Sequence, residues 1–264
     1  VYKKNTFSLR PVDHVLEDID MVKKCVDVIL EAKRDGTSTS ETLTANGLHD
    51  LNAQHAALQF IAGGMRSIFL QDGNSLIIKP GNLIRILRHL KAAFPAVERI
   101  TSYARSHTIA KIDDAHLEEM ADAGLNRIHI GMESGSDRVL KLVKKGTDKS
   151  TQILAGQKVK NAGIELSEYY MPGLGGKALS RENARETADA LNQINPDFIR
   201  LRTLAMPEAA PLTKQFRNGE FDKMGEVDTA KELLLFLESL QGITSKVRSD
   251  HVLNLFPEVD GALP

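Results

Sequence analysis

Residues 127–146 read RIHIGMESGSDRVLKLVKKG. The stretch opens as an alternation. Ile128, Ile130 and Met132 fall on one face of a strand, and His129, Gly131 and Glu133 on the other. Past a Ser/Gly turn the pattern becomes that of a basic amphipathic helix, with Ser136 placed to cap it and Asp137 in its first turn. A strand that passes through a polar turn into a helix is the building unit of parallel α/β folds. Parity aims Glu133 inward at the strand's end, and Gly131 leaves space below it. The helix start offers N–H groups to a carboxylate or phosphate. The same residues equally describe a capped helix beside a solvated glutamate, and the stretch alone leaves both readings open.

The same alternation of strand and helix extends on either side. RSIFLQDGN reads as a short apolar strand, followed by a helix with Leu83, Ile84, Leu87 and Leu90 on one side. ERITSYARS is a strand, and DDAHLEEMADAG a helix closed by Gly124. Downstream come the helical STQILAGQKVKNAG, the strand and turn IELSEYYMPGLGG, the helix SRENARETADALNQIN and the strand DFIRLRTLAM. Strand starts near residues 67, 99, 127, 164 and 197 give a period of about 30 residues, one strand-helix-strand unit. Parallel strands need such crossovers, which curl into a barrel or a wound sheet. Ahead of them stand a helix over 12–33, a loop RDGTSTSETLT and a helix LHDLNAQHAALQFIAGG. After them come a loop with a leucine-rich helix carrying Leu233, Leu234, Leu237 and Leu240, then KVRSDHVLNLF as a final strand and turn. No linker divides the chain, so one domain over 1–264 is expected.

Lys and Arg number 34 against 35 Asp and Glu, and 42% of residues are hydrophobic. That balance indicates no dedicated nucleic-acid surface. No apolar run approaches the roughly 18 residues of a membrane helix, and no signal peptide is evident. A single cysteine excludes an internal disulfide framework and fits a reducing cytoplasm. Cys25 shares a helix face with Val22 and Ile29, the placement of a buried structural thiol.

Ligands of parallel sheets and barrels sit at the carboxyl ends of the strands. Gln71, Asp72 and Gly73 follow SIFL, Glu133 and Ser134 follow HIGM, and Pro172 and Gly173 follow YYM. Asp-Gly is a common turn, and PGLGG lacks the spacing of either nucleotide-binding fingerprint. The eight histidines form no HxxxH or HExxH pattern, so a classical zinc site is not expected. No GxSxG occurs. Arg200 and Arg202 share a strand face, placed either to meet an anionic substrate or to pair with buried carboxylates. His251 lies between Asp250 and Asn254 in a polar cluster near the end of the chain.

Taken together, FLQDGNSL, IHIGMESGSDRVLKLVKKG, GIELSEYYMPGLGG and NPDFIRLRTL resemble the radical S-adenosylmethionine superfamily, and within it the elongator, methylthiotransferase and coproporphyrinogen-oxidising group. The resemblance covers nearly the whole chain, and GMESGSDRVLK is its most specific part. It implies an α/β fold, a partial TIM-type (βα)6 barrel with outer helices. It implies S-adenosylmethionine as cofactor, a 4Fe-4S cluster, an external electron donor, and cleavage to a 5′-deoxyadenosyl radical. Gln71, Asp72 and Gly73 match the turn that binds the amino group. Glu133 matches the ribose contact, with Ser134 its neighbour. Lys145 matches a basic residue for the methionine carboxylate, and Gly173 lies in the turn beside the adenine. The acidic ribose contact that several relatives carry on that strand is absent. Arg200, Arg202 and His251 are the candidates for facing substrate.

The resemblance departs at the cluster. The family holds it through three cysteines spaced CxxxCxxC, since iron-sulfur clusters need thiolates, and Cys25 stands alone. VYKKNTFSLRPVDHVLEDI resembles the segment that follows the third of these cysteines. The expectation is therefore a chain lacking its first barrel strand and cluster loop, inactive alone; a CxxxCxxC within the preceding ~40 codons, one strand-helix unit, is the check. The alternatives are a metal-free (βα) barrel lyase or aldolase, with Lys and Glu doing acid-base work, and a non-catalytic barrel scaffold.

Overall fold

The computed structural model describes residues 8–252, 254–257, 259 and 261–262. The first seven residues of the N-terminal match lie outside them. In chain order the elements are α1 (Val12–Asp35), α2 (Thr39–Ala45), α3 (Leu51–Ala62), β1 (Ser67–Leu70), α4 (Pro80–Ala93), β2 (Arg99–Ala104), α5 (Ser106–Ile109), α6 (Asp114–Asp122), β3 (Leu125–Glu133), α7 (Asp137–Leu142), α8 (Lys149–Asn161), β4 (Glu165–Tyr170), α9 (Gly176–Ile194), β5 (Phe198–Leu201), α10 (Pro211–Arg217), α11 (Glu226–Ser239), β6 (Lys246–Arg248) and β7 (Gly261–Ala262). They fall into two compact units, residues 1–102 with 118–126, and residues 103–117 with 127–264.

In the first unit β1 and β2 pair in parallel, Ser67 opposite Arg99, with α4 as the crossover. Pro80 opens α4, where a missing N–H costs nothing, and Leu83, Ile84, Ile86, Leu87 and Leu90 bury one stripe of it. Cys25, Val26, Ile29 and Ala32 form the buried face of α1. The Asn126 side chain accepts from Ile100 N–H at 2.9 Å and donates to the Glu98 carbonyl at 2.5 Å. Of the expected loop over residues 34–44, residues 39–44 are instead helical and belong to α2. Ser38 accepts from the Glu41 N–H and Leu43 is buried, so a cap and one apolar anchor suffice for α2.

In the second unit β3, β4, β5 and β6 pair in parallel, and β7 joins β6 antiparallel. Register fixes the faces. Ile128, Ile130, Leu166, Tyr170, Ile199, Leu201 and Val247 share one face and are buried. The Tyr170 ring stacks on Phe236 of α11 with centroids 4.2 Å apart, so α11 covers that face. Arg127, His129, Ser167, Tyr169, Phe198, Arg200 and Arg248 share the other. Three elements were not expected: α5, the short α10 inside the expected loop, and β7. β5 also stops at Leu201, short of the expected strand over residues 197–206. Among the described residues no helix is long and apolar enough to cross a membrane.

Candidate functional site

Alternation alone does not deliver Glu133. The register of β3 against β4 shifts between Ile130 and Glu133, so that Glu133 pairs with Tyr170, a residue of the apolar face. Glu133 then adopts φ 66°, the left-handed region. The outcome is a carboxylate folded back over Gly131: a Cβ on that glycine would stand 3.3 Å from Glu133 Oε1 and 3.3 Å from Lys145 Nζ. The expected space at Gly131 is thus filled by an ion pair, with Lys145 Nζ 2.7 Å from Glu133 Oε1. Both groups stay partly open to solvent, at 33% for Glu133 and 23% for Lys145. Lys145 reaches the site from the turn after α7, where Lys144 and Gly146 also take positive φ.

Residues 134–136 build the turn that holds this pair. Ser134 is buried and its Oγ accepts from Ser136 N–H at 3.0 Å. Ser136 caps α7 by accepting from Val139 N–H at 3.2 Å, and donates to Glu182 at 2.5 Å. Gly135 N–H donates to Thr187 Oγ1 at 2.8 Å. These N–H groups are therefore used inside the protein rather than presented to an anion. The turn after β4 is tied the same way. Gly173 takes φ 82° and its N–H donates to Glu232 Oε1 at 2.9 Å. The same oxygen accepts from Tyr170 O–H at 2.9 Å and Asn183 Nδ2 at 2.7 Å. Burial and the Glu232 charge push the Tyr170 phenol well up, so it serves as a donor.

Glu168 and Glu232, each almost fully buried, were missed in the sequence. Glu168 carried a legible signal, because its parity matches the apolar Leu166 and Tyr170. Burial pushes its carboxyl well above the usual range, against the opposing pull of Lys145 and the Met132 N–H.

The opposite strand face carries a second polar group. Tyr169 Oη and His129 Nδ1 are 3.1 Å apart, and Tyr103 lies 5.6 Å from the His129 ring, centroid to centroid. Burial and the charges of Arg200, Arg127 and Arg202 lower the His129 pKa to about 4, against a smaller opposing effect of Asp250. Arg200 donates to Ser167 Oγ at 3.0 Å, Arg202 lies over the Tyr169 ring, and both guanidiniums pair with Asp250. Of the two sequence accounts of these arginines, the geometry shows the pairing with a carboxylate, although Asp250 is 40% exposed rather than buried. His251 is exposed on the segment after β6.

Gln71, Asp72 and Gly73 stand in the first unit, exposed, directly after β1. Asp72 Oδ1 accepts from Gly73 N–H at 2.6 Å. Gln71 and Asp72 line a cavity of about 820 Å³ whose walls include Val15, Ile19, Phe60 and Ile68.

No three His, Cys, Asp or Glu among the described residues gather where they would hold a metal ion. Cys25 is fully buried, and burial followed by Asp50 pushes its thiol up. One protonated thiol inside a helix face does not fit a cluster held by three thiolates.

Parallel strands alternating with helices, with polar and glycine-rich turns at the strand ends, define an α/β enzyme of the partial (βα)-barrel class. A model described as the Radical SAM superfamily matches residues 49–190, more than half of the chain, and the chain belongs to that superfamily. It is similar to a tRNA uridine(34) acetyltransferase of Methanocaldococcus infernus, 25% identical over 52% of this chain and 26% of the relative. A protein of the same description from Methanocaldococcus jannaschii is 22% identical over the same shares. The chain thus spans about a quarter of the length of these curated relatives. Among solved structures, the Methanocaldococcus infernus Elp3 with an N-terminal deletion matches with TM-score 0.58 at 17% identity, over 79% of this chain and 55% of that one. Coproporphyrinogen III oxidase from Escherichia coli matches with TM-score 0.54 at 14% identity, over 88% of this chain and 48% of that one. Both show the fold.

Proposed function

We propose that the end of β3 binds S-adenosylmethionine, with Glu133 accepting from the ribose hydroxyls and Lys145 meeting the methionine carboxylate. The Glu133–Lys145 pair carries this reading. A non-glycine residue in the left-handed region, holding a carboxylate and an ammonium together over a glycine, is costly local geometry of the kind found at binding sites. One ligand with a diol at one end and a carboxylate at the other uses both charges. Ser134 supports the turn, and the Gly173 turn is the counterpart of the family's adenine contact. By the family match, Gln71, Asp72 and Gly73 take the amino group, for which the Asp72 carboxylate is a suitable acceptor. When bound, S-adenosylmethionine supplies the sulfonium whose cleavage is the family's chemistry. The residues of this chain hold and orient it. The thiolates for an iron-sulfur cluster, on this reading, belong to polypeptide outside these 264 residues, and the full enzyme draws its electron from an external donor.

Substrate is assigned to the face bearing Arg200 and Arg202, with His251 beside it. The two curated relatives are described as tRNA uridine(34) acetyltransferases, so tRNA is the macromolecule to test first.

Ligand-observed NMR, which registers weak association, tests the cofactor assignment. Saturable S-adenosylmethionine binding is expected in the wild type, weakened about tenfold or more by Glu133→Ala or Lys145→Ala, the effect of losing one charge-assisted hydrogen bond. A metal-free lyase or a scaffold predicts no affinity. Absence of saturable binding in the folded wild type overturns the reading.

A further inference from the structure

Arg200 and Arg202 stand two residues apart at the end of β5, so both project from the face of His129, Ser167 and Tyr169. Each is oriented by contacts that leave its charge unmatched. Arg200 Nε donates to the neutral Ser167 hydroxyl at 3.0 Å. Arg202 lies 4.3 Å from the Tyr169 ring centroid and donates to the Leu201 carbonyl at 2.7 Å. The remaining N–H groups of two fixed forks converge on one carboxylate, that of Asp250. Among the described residues, two guanidiniums against one carboxylate leave a unit of positive charge in a site where the arginines are only 17% and 23% exposed.

The carboxylate that answers them is held differently. Asp250 belongs to the irregular segment after β6 and is 40% exposed; one oxygen is held closely by Arg200 Nη1, while the contact of the other to Arg202 is a long 3.5 Å. That segment is anchored four residues later, where Asn254 Nδ2 donates to the Leu201 carbonyl at 3.1 Å and Oδ1 accepts from Thr203 N–H at 3.2 Å. The arginines are thus set by the sheet, while Asp250 reaches them from a loop tied down elsewhere.

We propose that Arg200 and Arg202 form a subsite for the carboxylate or phosphate group of a substrate, and that Asp250 is a resident counter-ion which the substrate's oxyanion displaces. Planar guanidinium forks match either oxyanion in bidentate fashion. A guanidinium pair left without an anion in a half-buried site is destabilised, so an internal carboxylate keeps the site formed until substrate arrives. Exchanging one oxyanion for another leaves the electrostatics nearly unchanged, whereas a neutral ligand cannot replace Asp250. The device therefore selects for charge. The neighbouring wall of neutral His129 and Tyr169 adds hydrogen-bonding groups without a competing negative charge. This inference rests on the assignment above only in setting substrate on this face, and its test requires no S-adenosylmethionine.

The isotope-labelled full chain, titrated with sodium acetate or sodium phosphate against chloride at constant ionic strength, is followed at the Asp250 carboxyl carbon and the Arg202 Nε–H. Saturable shifts are expected at both positions. Although burial pushes the Asp250 carboxyl up, Arg200 and Arg202 outweigh this and hold it below the usual range; at saturating anion it should titrate in the ordinary aspartate range. Asp250→Asn should tighten anion binding about tenfold, and Arg202→Gln should abolish it. Tighter acetate points to a carboxylate substrate, tighter phosphate to a phosphoryl one. No saturable shift with either anion, or an Asp250 titration unmoved by saturation, overturns the proposal. The wild-type titration decides the matter if Asp250→Asn does not fold.

Discussion

Glu133 carries a side chain where glycine is the ordinary choice. At φ 66° an L-residue costs about 1–2 kcal/mol over a right-handed conformation. Its ion pair with Lys145, partly exposed on both sides, returns no more than about 1 kcal/mol. Glu133→Gly and Glu133→Ala both remove the carboxylate, but only glycine escapes the backbone cost. Urea unfolding should therefore find the glycine variant more stable than the alanine variant by about 1 kcal/mol, with S-adenosylmethionine binding weakened in both. Equal stabilities would show that the position is unstrained. His129 makes a pH prediction. It faces Tyr103 and Tyr169, with Arg127, Arg200, Arg202 and Asp250 around it, and its pKa falls from the ordinary 6.5 to about 4 on folding. Between those values the unfolded chain binds a proton that the native chain refuses, so stability falls as pH drops from 6.5 towards 4. The total is roughly 3 kcal/mol. Denaturant midpoints of the wild type and His129→Gln, taken across that range, should converge towards the acid end; parallel curves would exclude His129 as the cause.

Elements were more legible than the joints between them. The strands announced themselves because apolar residues alternate with a repeat of one crossover, and Ile128, Ile130, Leu166 and Ile199 are buried as that pattern requires. What escaped was set by tertiary partners. The register shift at the end of β3 has no mark in the alternation of 128–133, so the parity that carries His129 and Gly131 does not carry through to Glu133. Glu232 reads as one more charge on a leucine-rich helix until the turn after β4 is seen to donate to it. The expected loop over residues 34–44 concealed a cap at Ser38. Gly135 shows the same dependence on a partner. Its torsions do not demand glycine, yet a Cβ there would lie 2.4 Å from the Glu186 carbonyl oxygen and 2.7 Å from Thr187 Cα, both backbone atoms of α9. Gly135→Ala must displace the turn or the helix, at about 1–3 kcal/mol for overpacking, and break the Gly135–Thr187 hydrogen bond. A thermal melt should show a clear drop in midpoint. S-adenosylmethionine affinity should fall with it if this turn sets Glu133; a melt matching the wild type would mean that α9 yields freely.

At the scale of the whole molecule, the proposed function separates binding from chemistry. Superfamily membership rests on residues 49–190, and within that range lie all the proposed cofactor contacts: Gln71, Asp72, Gly73, Glu133, Ser134, Lys145 and Gly173. These 264 residues hold one cysteine, buried in α1 with its thiol pushed up. Local unfolding of α1 would expose only one thiol, and a 4Fe-4S centre needs more thiolates than that. The two properties should therefore come apart in one sample. After anaerobic incubation with iron, sulfide and a strong reductant, the 264-residue chain should retain no stoichiometric iron through gel filtration and should form no 5′-deoxyadenosine above a protein-free control. The same sample should still bind S-adenosylmethionine. Cys25→Ser, a near-isosteric change in the core, should alter stability modestly and leave both results as they were. Stoichiometric iron in the wild type that disappears in Cys25→Ser would show that the buried thiol does serve as a ligand, and would overturn the proposal that the cluster thiolates lie outside these 264 residues.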